Sequence, residues 1–91
     1  VAWLLNKPSS APRGRMLSLM AELLQAQAVL QHDTTEGMVD YTQNTERNLI
    51  QILHENPELL KEAKASPATG GLQNVFRAVE TMSTFSTIHH E

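Results

Sequence analysis

Between Met16 and Leu30, eleven of fifteen residues are apolar, in a chain that is 41% hydrophobic as a whole. On a helical wheel of about 100° per residue, Met16, Leu19, Met20, Leu23 and Leu30 fall on one stripe. Leu17, Ala21, Leu24 and Ala28 widen it sideways, to an apolar arc of roughly 220°, where a one-sided surface helix needs about 100° or more. Only Ser18, Glu22 and Gln25 form a polar strip. A helix wrapped this far in apolar side chains packs on several neighbours. It is either the central element of a bundle or it keeps a face for a second chain.

The rest of the chain predicts three more helices. The four segments span about 15–32, 35–55, 57–65 and 71–89, with ends uncertain by about 2–4 residues. In the second, Met38, Tyr41, Thr42, Thr45, Leu49, Ile52 and Leu53 share one side, opposite Asp40, Gln43, Asn44, Arg47, Gln51 and Glu55. The third is short and offers Leu59, Leu60 and Ala63; packing must hold it. The fourth carries Leu72, Val75, Phe76, Val79 and Met82 on one stripe.

Breaker clusters separate these segments. They are "NKPSSAPRG" at 6–14, "HDTTEG" at 32–37, "ENP" at 55–57 and "SPATGG" at 66–71. Asp33, Thr34 and Thr35 are candidate N-caps for the second helix, and Asn56 before Pro57 suits the start of the third. Period-two alternation is not sustained anywhere, so no strand is expected. The expected fold is an all-α, compact, four-helix bundle-like domain at 15–91. A short apolar N-terminal arm and a Pro/Ser linker precede it at 1–14.

Trp3 lies in the arm, within "VAWLL", which is too short to form a stable element alone. It either caps the bundle or docks on a partner, since tryptophan buries a large area with few rotors. Phe85 and Ile88 point away from the main stripe of the fourth helix by about 100° or more. With Trp3, Leu17, Met20 and Leu24, they make up the expected interface with a protein partner or with a second copy in a homodimer.

Composition narrows the class. Ninety-one residues make at most one domain. The chain has no cysteine, hence no disulfide, zinc-thiolate site or cysteine nucleophile. A net charge of −3 gives no bulk attraction to phosphate backbones or anionic membranes. No apolar run approaches the roughly 18 residues of a membrane span, and "VAWLL" is too short for a signal peptide's apolar region. These features lead us to expect a cytoplasmic protein that does not engage membranes. The chain opens on Val1, so it reads as a fragment or a processed product.

Candidate chemistry is sparse. His32 with Glu36 and Asp40 has ligand spacing, but the loop at 33–37 interrupts it, and Pro57 breaks His54 from Glu58. His89, His90 and Glu91 are adjacent residues whose side chains diverge. No metal site, cofactor or catalytic residue is expected; neither G-x-S-x-G nor H-E-x-x-H occurs. "TGG" at 69–71 lacks the Lys-Ser/Thr of a phosphate loop, so Thr69 is expected to cap the fourth helix and the glycines to provide the turn's backbone freedom.

Gln73, Asn74, Arg77, Thr81 and Thr84 line the exposed side of the fourth helix, with side chains of the kind that read base edges. A small DNA-binding regulatory domain using the 71–89 helix is therefore the alternative. It is disfavoured, because Arg77 is the only cation there and the preceding turn exceeds the usual 3–4 residues. The primary expectation is a non-catalytic protein–protein interaction module, a docking, adaptor or oligomerisation domain. It acts through surplus apolar surface on its first helix.

Overall fold

The computed structural model describes residues 11–66 and 69–90, apart from the side chains of Thr69 and residues 85–90. It is all-α: α1 (Ala11–Leu30), α2 (Glu36–Glu55), α3 (Pro57–Lys64), a 3-10 turn (Thr69–Leu72) and α4 (Gln73–His90). No strand occurs among the described residues. The expected four-helix arrangement is present.

α1 begins at Ala11, inside the stretch expected to be linker. Pro12 falls in the first turn, where backbone N–H groups have no intrahelical acceptor and a missing one costs nothing. Arg13 then ties this turn to α3, its Nε donating to Glu62 Oε1 at 2.6 Å. α1 ends at Leu30, where Asp33 N–H donates to the Val29 carbonyl at 2.9 Å.

Of the three candidate caps, Thr35 starts α2. Its Oγ1 accepts from the Met38 N–H, and its own hydroxyl donates to Asp33 Oδ1 at 2.8 Å. The Thr35 hydroxyl and backbone N–H, both donating to Asp33 Oδ1, hold that carboxyl below its ordinary value. Asn56 precedes Pro57 as expected, but its side chain does not cap α3. Instead Nδ2 donates back to the Ile52 carbonyl at 2.8 Å, closing the end of α2.

α2, not α1, is the hub. α1, α3 and α4 each make their main helix–helix packing with it, and α1 also meets the 3-10 turn. Leu49 and Leu53 are fully buried on α2, flanked by partly buried Ile50 and Ile52. Thr42 and Thr45 are buried too. Their hydroxyls donate back to the carbonyls of Met38 and Tyr41, at 2.8 and 2.9 Å, so no polar atom is stranded. The core is completed by Met16, Leu19, Met20 and Leu23 from α1, Leu59 and Ala63 from α3, and Leu72, Val75, Phe76 and Val79.

Two residues expected on inner stripes lie outside. Tyr41 is 46% exposed at the rim of the α1–α2 contact, and Met82 is 42% exposed, beyond Val79, the last buried residue described on α4. From Glu80 to Thr84 every residue of α4 is exposed.

Gly71 has a role other than the expected one. Its φ is not positive, so the turn does not need its conformational freedom. It is needed for space: a Cβ there would sit 2.7 Å from Leu24 Cδ2 and 2.9 Å from Gln27 Oε1. Gln27 Nε2 donates to the Gly71 carbonyl at 2.9 Å, seating the 3-10 turn against α1.

Candidate docking surface

The circumference of α1 divides into three faces. Met16, Leu19, Met20, Leu23 and Ala26 are buried against the rest of the fold. Ser18, Glu22 and Gln25 are exposed and polar. Between these lies the flank: Leu17 at 50% exposure, exposed Ala21 and Ala28, and half-buried Leu24. Spacings of four, three and four residues set the flank residues one above another along about 16 Å of helix. Among the described residues the flank stays open at Leu17, Ala21 and Ala28, because α2 takes one face of α1 and the 3-10 turn reaches Leu24 and Gln27.

Electrostatics leave the flank bare. Glu22 is the only ionisable residue between Met16 and Leu30. Its Oε1 accepts the Tyr41 hydroxyl at 3.0 Å, turned toward α2. That carboxylate raises the Tyr41 hydroxyl above its ordinary value, because it favours the protonated donor.

The expected interface residues are not brought together as a set. Leu17 is exposed as required, and Leu24 is partly available. Met20 is a correction: at 5% exposure it belongs to the core. It stands four residues after Met16 and three before Leu23, in the row that faces inward. Trp3 and the side chains of Phe85 and Ile88 lie outside the described residues.

On the alternative nucleic-acid face, Gln73, Asn74, Arg77 and Thr81 are all exposed along α4. The link from Lys64 to Gln73 contains the whole 3-10 turn and is too long for a helix-turn-helix. Two cations on neighbouring elements are also already paired, Arg13 with Glu62 and Lys64 with Glu80.

Sequence reading missed an open cleft of about 310 Å³ lined by Arg15, Asn48, Gln51, Ile52 and Glu55. The α2 spacing of Asn48, Gln51, Ile52 and Glu55 is visible in the sequence, whereas the approach of Arg15 is tertiary. Gln51 Nε2 lies 3.4 Å from Glu55 Oε2, and the lining offers no nucleophile beside a base. Among the described residues no three His, Cys, Asp or Glu side chains converge on a metal position, and no helix is long and apolar enough to cross a membrane. The chain matches no family model, no curated protein and no solved structure.

Proposed function

We propose that this protein is a non-catalytic protein–protein interaction module that docks through the flank of α1. The observation that carries this reading is Leu17, half-exposed in a row with exposed Ala21 and Ala28 and half-buried Leu24, which among the described residues only the 3-10 turn touches, at Leu24. Burying such a row releases water from apolar surface at about 25 cal/mol per Å², which supports association once ordering costs are met. The expected cytoplasmic setting belongs to the same proposal.

The test is a double substitution, Leu17→Glu with Ala28→Glu. Both side chains point away from the core, so the variant keeps its helical circular dichroism and cooperative melting. Loss of cooperative melting in the variant would place the flank inside the fold and remove the docking reading. Leu24 is the wrong site for this test, because its Cδ2 packs at Gly71.

A further inference from the structure

The cleft between α1 and α2 lies on the other side of α1 from the docking flank: Arg15 and Leu17 are about 200° apart on the helical wheel. Arg15 enters the cleft from α1. Across from it, Asn48, Ile52 and Glu55 stand one above another along about 10 Å of α2, with Gln51 beside them. One cleft thus gathers a guanidinium, a carboxylate, two amides and an isoleucine. Asn48 and Ile52 are half-buried and form its floor, while Arg15, Gln51 and Glu55 are exposed around them.

The two charges in this cleft are uncommitted. Among the described residues, ion pairs join Arg13 to Glu62 and Lys64 to Glu80, but none joins Arg15 to Glu55. Nor do the side chains of Arg15 and Asn48 have a hydrogen-bond partner among the described residues. Gln51 Nε2 reaches Glu55 Oε2 at 3.4 Å, a long hydrogen bond that is readily exchanged for a shorter one to a ligand.

We propose that the cleft binds a small aliphatic α-amino acid as its zwitterion. Arg15 takes the carboxylate, which its planar fork of N–H donors matches. Glu55 takes the ammonium. The amides of Asn48 and Gln51 each offer donors and an acceptor between the two charges. Ile52 receives the aliphatic side chain. A simple anion would meet the Glu55 carboxylate unpaired, and a simple cation would meet the Arg15 guanidinium; a ligand with both charges answers both. Size agrees. At about 30 Å³ for each water in the liquid, a cleft of about 310 Å³ holds about ten non-hydrogen atoms, the size of leucine. The cleft is open to solvent and its charges are screened, so the affinity is millimolar. This site stands apart from the docking flank and does not depend on it.

The side-chain amides of Asn48 and Gln51 report on the cleft directly by nuclear magnetic resonance. Titrating the full chain with L-leucine should shift both signals to saturation in the millimolar range. Isocaproate, which lacks the ammonium, and isoamylamine, which lacks the carboxylate, should each bind about tenfold more weakly. Arg15→Gln and Glu55→Gln replace exposed side chains and keep the helical circular dichroism; each should weaken leucine binding about tenfold. Leucine that produces no saturable shift would overturn the site. Isocaproate or isoamylamine binding as tightly as leucine would overturn the zwitterion, as would an unchanged leucine affinity in either variant.

Discussion

α1 and α2 are helices of equal length, 20 residues each, with opposite sequence character and opposite places in the fold. α1 is apolar around most of its circumference and sits at the side. α2 is one-sided, with two threonines on its inner face, and sits in the middle. Chain connectivity explains the inversion. A single residue, Asn56, separates α2 from α3, so α3 must pack on α2. The link that runs through the 3-10 turn brings α4 back to the same helix. α1 packs mainly on α2 and the turn, with Arg13 reaching α3, and among the described residues Leu17, Ala21 and Ala28 of its second apolar face stay exposed. Apolar content measures how much a helix has to bury, and connectivity decides how much of it the chain can cover.

This contrast sets the sizes of substitution effects. Leu49→Ala, at the fully buried centre of α2, should cost about 2–5 kcal/mol in chemical denaturation. Leu17→Ala on α1 should stay within about 0.5 kcal/mol at protein concentrations where the chain is monomeric. Comparable losses at the two sites would erase the distinction between hub and flank.

The α1 glycine and its counterpart in the turn should respond with opposite signs. Gly71→Ala pushes against Leu24 and Gln27 and disturbs the Gln27 hydrogen bond, a loss of about 1–2 kcal/mol. Gly14→Ala meets nothing and should stabilise the monomer by about 0.4–1 kcal/mol. Thermal melts of both variants decide the signs. At the α1–α2 corner, Thr35→Ala removes the α2 cap and should cost about 1 kcal/mol, read as a lowered denaturation midpoint.

The smallest effects are those of pH. Asp33 is lowered from its ordinary 3.8 by the Thr35 donors, so its contribution is present above that value and fades as pH falls through the folded-state value. Tyr41 is raised from 10.0, chiefly by its hydrogen bond to Glu22. Its contribution is full below pH 10 and is lost as pH rises through the folded-state value. Tyr41 is exposed and Asp33 partly so, and stability measured against pH should change only slightly at either end. Tyr41→Phe should remove the alkaline change and leave the acidic one.

Much of the fold is legible in the sequence. Helical spacing marks all four helices, and the inner rows of α1, apart from half-buried Leu30, and of α4 as far as Val79 are buried as the wheel places them. The division of α1 into a main stripe and a sideways extension is also visible there. Three features are not. Pro12 and Gly14 read as linker because composition does not show that a first helical turn tolerates proline. Met82 reads as core because the apolar periodicity of α4 continues past Val79, the last buried residue described on that helix. The central place of α2 escapes the wheel altogether, since it depends on which helices the loops bring together. For the candidate site, Leu17 and Leu24 are recognisable as flank residues, while Met20, expected at the interface, belongs to the main stripe and the core. The decisive information was which α1 row meets α2, and that is a tertiary fact.

A glutamate scan along α1, read by chemical denaturation at low protein concentration, tests the central claim most directly. Met16, Leu19, Met20, Leu23 and Ala26 should each lose several kcal/mol, because a charge would be forced into the core. Leu17, Ala21 and Ala28 should lose little, giving a stability profile with one intolerant face and a tolerant apolar row beside it. If Leu17, Ala21 and Ala28 prove as intolerant as Met20 and Leu23, α1 has no uncovered face, and the docking account is contradicted.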